Sequence, residues 1–298
     1  SSSARAPDAE QAEIPEAVMA EFAAEASVLL ACRHPNITLL LGVALDPPAL
    51  VSEFMSRGSL FAVLSAEDIA LDVTMVYYWA AGLVSGLRFL HSNDITHRDI
   101  KSLNVLLSDG WMPKLTDFGL SKFAAVEAEP QGTGGGKGKQ TASPSPSNVP
   151  MELDAPLGTL LWTAPEVLAS TVDSHAIADI YSLGVVMWEM ASRLPPYGSA
   201  SDPIVVALEV MAGTAKLPND VLMPGLHPVY VSALYAALAH DPNQRATLDD
   251  LAERLSTINN PSRLVYPSSV REPEGDVYTL TFIVPGLEHL LGSAGEAS

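Results

Sequence analysis

The densest set of chemically capable side chains lies between His97 and Gly119. His97-Arg98-Asp99-Ile100-Lys101-Ser102-Leu103-Asn104 is followed by Val105-Leu106-Leu107, then Ser108-Asp109-Gly110, then Lys114-Leu115-Thr116-Asp117-Phe118-Gly119. An apolar triplet, an Asp-Gly turn and a second short apolar stretch predict a β-hairpin. Asn104 enters the first strand and Asp117 leaves the second, so antiparallel pairing brings both to one open end, beside Asp99 and Lys101. A carboxylate and an amide oxygen are hard ligands for Mg²⁺, an ammonium neutralises a transferring phosphate, and a second carboxylate can orient a hydroxyl. Phosphoryl transfer uses all four groups, whereas general acid/base hydrolysis needs only the two carboxylates.

The elements that must position this group are legible around it. Glu16 to Cys32 carries Val18, Phe22 and Leu29 on one helical face, and Pro35 stops that helix. Ile37 to Leu45 and Ala49 to Phe54, joined by Asp46-Pro47-Pro48, predict an antiparallel strand pair. Gly58-Ser59 opens a short helix near residues 60–64 with Ser59 as its cap, and Val73 to His91 is a long apolar helix. Helices are expected at about 165–169, 177–191, 203–212, 228–239 and 247–257. Few strands at the front and many helices behind predict an α+β fold with segregated layers. Ala125 to Pro156 holds a Gly and Lys tract and Ser143-Pro144-Ser145-Pro146, too little apolar surface to offset ordering entropy, so disorder is expected there. Ser143 and Ser145 read as part of a solvated linker more readily than as phosphorylation sites. Val277 to Val284 alternates like a single strand, with no readable role.

The 298 residues, 48% of them hydrophobic, suffice for one large domain or two modest ones with a sizeable core. Only 17% are charged against a typical level of about 25%, so polar cover is thin. A net charge of −19 would repel phosphate backbones and anionic headgroups, which argues against nucleic acid and membrane surfaces as partners. The single cysteine, Cys32, excludes an internal disulfide framework, fits a reducing compartment and reads as a small core residue. No stretch reaches about 18 apolar residues, the best being Ile180 to Ala191, interrupted by Glu189, so no membrane span and a cytoplasmic location are expected, with an upstream targeting signal left open.

The motifs together resemble a eukaryotic protein kinase. The catalytic loop H-R-D-x-x-x-x-N and the metal-binding D-F-G of that family match without substitution. Gly158-Thr159-Leu160-Leu161-Trp162-Thr163-Ala164-Pro165-Glu166 is similar to the segment ending in A-P-E. Asp179-Ile180-Tyr181-Ser182-Leu183-Gly184 resembles the start of the family's central helix, and Asp241-Pro242-Asn243-Gln244-Arg245 its late D-P-x-x-R motif. The likeness covers about residues 20 to 258 and implies a two-lobe fold, ATP and Mg²⁺ as cofactors, and protein substrates bearing Ser or Thr. It makes Asp99 the catalytic base, Lys101 the contact to the γ-phosphate, and Asn104 and Asp117 the Mg²⁺ ligands. Ser52 would gate the adenine pocket, with Glu53, Phe54 and Met55 as hinge and Leu106 beneath the adenine. His97 would pack under Phe118, Arg98 would meet a phosphate or acid in the following loop, Glu166 and Arg245 would form a buried ion pair, and Asp179 would accept from the catalytic-loop backbone. Lys101 together with Thr159 looks like the Ser/Thr subclass, and the wording around Ser102 and Trp162 is similar to the tyrosine-kinase-like, Raf-like group of plant or algal kinases.

The front of the chain departs from that pattern. Glu25, nine residues before His34, stands where the family has the Glu that pairs with a strand Lys, yet the first lysine in the chain is Lys101 and no G-x-G-x-x-G precedes Glu25. The expected organisation is a disordered stretch 1–13, a remnant of the small lobe 14–56, a helical lobe 57–258 with an activation-loop insertion 120–157, and a tail 259–298. An incomplete small sheet would leave an open strand edge that invites association. The preferred reading is a fragment of an active Ser/Thr kinase, itself of low activity. The alternative is a truncated pseudokinase acting as a binding scaffold, and a metal-dependent hydrolase using Asp99 and Asp117 is a distant third.

Overall fold

The computed structural model describes residues 26, 30, 32–45, 48–117, 157–169, 175–198, 202–258 and 278–281. The expectations for Glu25, Phe118, the linker 125–156 and residues 1–13 fall outside these. Among the described residues these elements follow in order: β1 (Leu40–Leu45), β2 (Pro48–Glu53), α1 (Leu60–Ser65), α2 (Val73–Ser92), β3 (Val105–Leu107), β4 (Pro113–Leu115), α3 (Pro165–Leu168), α4 (His175–Ser192), α5 (Pro203–Met211), α6 (Pro228–Ala237), α7 (Leu248–Ser256) and β5 (Tyr278–Thr281). The expected α+β plan, few small strands ahead of a helical lobe, is the observed one.

Polar caps set the helix starts. The Asp72 carboxylate accepts from the N–H groups of Thr74 and Met75 to open α2, Ser59 caps α1 through the N–H of Ala62, and Thr247 with Asp250 forms a reciprocal capping box on α7. Val76, Trp79, Ala80, Leu83, Leu87 and Leu90 recur at three- and four-residue spacing along α2, all fully enclosed. α4 is enclosed nearly all round, from Leu183 through Val185, Val186 and Met187 to Met190 and Ala191. One continuous apolar cluster runs from Ala26 and Cys32 through α2 and α4 to Leu251 and Leu255. From the sequence no stretch was expected to be long and apolar enough to cross a membrane, 180–191 being the best; among the described residues α2 does have that length and composition, and 61% of its apolar window is covered by the rest of the fold.

The strand elements differ from expectation in two places. β1 starts at Leu40 rather than Ile37, because residues 36–38 pair with the helical lobe instead: Leu115 N–H donates to the Asn36 carbonyl at 2.9 Å and Thr38 N–H to the Leu115 carbonyl at 2.9 Å. The open edge expected on the small sheet is closed on the β2 side, since the sheet order is β1-β2-β5 with both contacts antiparallel.

The Asn36 segment lies directly on α2. A Cβ at Gly86 would sit 2.8 Å from the Asn36 carbonyl oxygen and 3.2 Å from Asn36 Cβ. A Gly in a helix interior ordinarily costs about 1 kcal/mol relative to Ala, but here the neighbour is backbone held to Leu115 and cannot retreat. Gly86→Ala is expected to lower stability by about 1–2 kcal/mol, overpacking outweighing the helix gain, as read from the urea midpoint; a stabilised variant would show that the two segments are not in contact.

Candidate functional site

The loop 97–104 is held from beneath by a carboxylate of α4. Asp179, 2% exposed, accepts from the N–H of His97 at 2.9 Å and from the N–H of Arg98 at 2.8 Å, and its Oδ2 meets His91 Nε2 at 2.9 Å. A buried carboxylate must be satisfied in this way or be expelled. The bonds fix Arg98 at φ +66, a left-handed conformation uncommon for a residue with a Cβ. His97 is fully enclosed, and burial pushes its ring below the ordinary histidine value, against the pull of Asp179, Asp99 and Asp117. The neutral ring bridges two segments: Nδ1 accepts from Asp99 N–H at 3.4 Å, and the ring also bonds the backbone of Thr116.

Turned outward by this loop, Asp99 is the hub of the polar group. Its Oδ2 accepts from Lys101 Nζ at 2.7 Å and from Asn104 Nδ2 at 2.7 Å, and Asn104 Nδ2 also reaches the Asp99 carbonyl at 2.9 Å. Asp99 Oδ1 is buried without a hydrogen-bond partner among the described residues. Lys101 Nζ donates further to Thr159 Oγ1 at 3.1 Å, which ties the loop to the short helical turn Leu157–Trp162. The predicted hairpin forms with Val105 opposite Leu115, Leu106 opposite Lys114 and Leu107 opposite Pro113. Thr116 N–H donates to the Asn104 carbonyl, so exposed Asp117 follows directly at the same end, at φ +61. A cavity of about 30 Å³, room for a water, adjoins the group between Arg98, Asp99, Thr159, Trp162, Asp179 and Ser182.

Ser52, Glu53 and Met55 lie on and just after β2. The Glu53 carboxylate is committed: Oε1 accepts from Leu39 N–H at 2.8 Å and from Lys114 Nζ at 2.6 Å. Met55 is buried, and the turn behind it pairs with the hairpin, since Leu107 N–H donates to the Gly58 carbonyl and Ser59 bridges Leu106. Lys114 thus links β2 to the strand leading to Asp117, a connection the sequence reading missed although Lys114 stands in its motif.

Two more carboxylates act on the loops. Arg245 Nη1 and Nη2 grip Glu166 Oε1 and Oε2 at 2.5 and 2.9 Å, and Nη1 also reaches the Ile177 carbonyl. Glu189, 2% exposed, accepts from Ser102 Oγ on one oxygen and from Trp162 Nε1 on the other, both at 2.7 Å. It clamps the loop 97–104 to the turn that carries Thr159. Its signal in the sequence was a lone acid inside an apolar helix.

Burial pushes the Glu189 carboxyl up from 4.5 to about 7, the bonds from Trp162 and Ser102 opposing. A carboxyl whose pKa is raised by folding holds its proton more tightly in the folded chain, so its stabilising effect is full below about pH 4.5 and is lost as pH rises toward 7. Glu189→Gln cannot ionise, and its stability relative to the natural chain is expected to improve by about 2–3 kcal/mol between pH 5 and pH 8. Urea denaturation across that range measures it; a difference flat with pH would contradict the buried ionisation.

Comparison with known proteins agrees with this geometry. The protein kinase domain family matches residues 7–266. A serine/threonine-protein kinase/receptor candidate of Acanthamoeba polyphaga mimivirus is 34% identical over 246 residues, covering 80% of this chain and 13% of that protein. The probable serine/threonine-protein kinase drkA of Dictyostelium discoideum is 32% identical over 251 residues, covering 83% and 35%. A serine/threonine-protein kinase of Arabidopsis thaliana is 29% identical over 240 residues, covering 80% and 37%. The chain therefore spans well under half the length of these relatives. With its hairpin, its Asp179-anchored loop and a match over most of its length, the chain belongs to the protein kinase family.

Proposed function

We propose that this chain carries the phosphoryl-transfer centre of a Ser/Thr kinase of the tyrosine-kinase-like, Raf-like group, in a helical lobe spanning residues 57–258. The observation that carries the reading is the asymmetry of Asp99. One oxygen is fixed by Lys101 and Asn104, while Oδ1 is buried and has no hydrogen-bond partner among the described residues. A buried orphan acceptor is costly unless something meets it there, and the hydroxyl of a Ser or Thr side chain fits. Asp99 Oδ1 would accept the hydroxyl proton as the hydroxyl oxygen bonds to the γ-phosphorus of ATP and the bond to the β–γ bridging oxygen breaks, ADP leaving, and Lys101, already between Asp99 and Thr159, would offer its ammonium to the phosphoryl oxygens.

The donor set suits Mg²⁺. Among the described residues no three His, Cys, Asp or Glu side chains form a metal cluster, but Asp117 supplies an exposed carboxylate, and the Asn104 bonds to Asp99 use its Nδ2, not its amide oxygen. Asn104 and Asp117 would hold the ion, which when bound with ATP supplies charge neutralisation for the transferred group. For the nucleotide, Ser52 would gate the pocket, Glu53 and Met55 would form the hinge and Leu106 the floor. Lys114 and the N–H of Leu39 hold the Glu53 carboxylate beside that position. Arg98 would meet an acid or phosphate of the following loop, and Thr159 would border the substrate.

A second reading, a kinase-like binding module, is favoured by one observation: Lys101 is the first lysine of the 298 residues, so within them no strand lysine ahead of the hairpin is offered to the nucleotide. The rate of the 298-residue chain alone is accordingly expected to be low. Mg²⁺-dependent transfer of the ATP γ-phosphate to a generic Ser/Thr substrate is the measurement. Asp99→Asn is expected to lower it by about 10²–10⁴-fold and Asp117→Asn to abolish it. Rates equal to the natural chain in both variants would overturn the assignment, no transfer by any form would support the binding module, and phosphate release without transfer would support a hydrolase.

A further inference from the structure

Both edges of β2 are filled. β1 runs along one, and β5 runs along the other with Leu50 opposite Thr281, Val51 opposite Leu280, Ser52 opposite Thr279 and Glu53 opposite Tyr278. β2 is constructed as an inner strand: Ala49 and Leu50 are both 2% exposed, and the stretch Leu50–Glu53 has no Pro or Lys to blunt an edge. Its one charged residue, Glu53, turns its carboxylate to Lys114 and to Leu39 N–H.

The segment that fills the edge has the matching composition. Val277-Tyr278-Thr279-Leu280-Thr281-Phe282-Ile283-Val284 is entirely β-branched, aromatic or Leu, without a charge, Gly or Pro, in a chain of net charge −19. Reach is no obstacle. Residues 259–277 separate α7 and its final turn from β5, and a chain of that length can span up to about 60 Å.

We propose that the outer edge of β2 is a strand-acceptor site whose ligand is the segment 278–281 of the same chain, held by main-chain hydrogen bonds in the manner of strand addition. A strand has only two edges, so any other extended segment that joins β2 beside Ser52 and Glu53 must first displace this one. The tail is thereby an exchangeable part of the small sheet, and the site selects uncharged, β-rich peptides. This inference is independent of the phosphoryl-transfer reading, because its readouts involve no activity.

The full chain is tested in two ways. In a background where the only cysteine is removed by Cys32→Ala, Ser52→Cys with Thr279→Cys is expected to form an intrachain disulfide under mild oxidation, and faster than Ser52→Cys with Thr281→Cys, which is two residues out of register. An interchain bond would assign the strand to a second copy and overturn the intramolecular site, and the absence of any bond would overturn the pairing. Separately, Thr279→Pro with Thr281→Pro removes ladder donors. Amide exchange of Leu50–Glu53 is expected to accelerate on the order of tenfold or more, with α4 amides unchanged as the control for folding, and added synthetic peptide 277–284 is expected to restore protection. Unchanged exchange at Leu50–Glu53 would overturn the proposal. Should the proline variant lose protection in α4 as well, the cysteine pairs alone decide.

Discussion

The carboxylate of Asp179 is the constraint on which the rest of the site depends. It is buried in the apolar interior, where an unpaired charge would be expelled, and it finds its partners in the two N–H groups of His97 and Arg98 and in the His91 ring. Those partners can converge on it only if the chain turns sharply at Arg98, in the left-handed region. That turn aims Asp99, Lys101 and Asn104 away from the core toward the end of the hairpin. Backbone strain at Arg98 is thus stabilised by burial of a charge, a trade that persists where the surrounding structure overdetermines it.

The same device recurs along one helix. Asp179 and Glu189 stand ten residues apart in α4, about 15 Å along its axis. The first anchors the start of the loop 97–104, and the second holds Ser102 near its end together with Trp162 of the opposing turn. Arg245 closes the arrangement from outside, gripping Glu166 at the end of that turn and the Ile177 carbonyl of α4. A helix so enclosed by apolar side chains is a rigid reference, and buried acids convert that rigidity into fixed positions for two loops. Lys101, bonded at once to Asp99 and Thr159, lies where the two loops meet.

Much of this was legible in the sequence, and for local reasons. The hairpin follows from two apolar triplets and an Asp-Gly turn, α2 from its three- and four-residue spacing after Asp72, and α1 from Ser59. The helix bounds fall within one or two residues of expectation for 165–169, 177–191, 203–212, 228–239 and 247–257. What escaped was non-local. Glu189 broke an apolar run and carried no further signal, because its partners Ser102 and Trp162 lie 87 and 27 positions away. The pairing of Glu166 with Arg245, 79 positions apart, was accessible only through family likeness. Arg98 and Asp117 take positive φ without being glycine, so nothing in their residue types announces the turns they make. The start of β1 was misplaced because Ile37 suits a strand in either lobe, and only the contact of Asn36 with α2 and Leu115 decides which.

The thin polar cover finds a partial account in the same non-local contacts. Several apolar side chains do remain exposed, Ile204, Val205 and Leu208 on α5 among them. The small sheet is different: its strands, whose one charge is Glu53, would be an aggregation hazard if both edges were free, and the uncharged segment 278–281 would be a second hazard if left unpaired. Placed together, each covers the other. Two stretches that look like liabilities when read separately become one satisfied ladder, and the exposed backbone groups that remain are confined to the outer side of β1 and the outer side of β5 among the described residues. In the small sheet, then, apolar sequence pairs with apolar sequence across more than two hundred positions of chain.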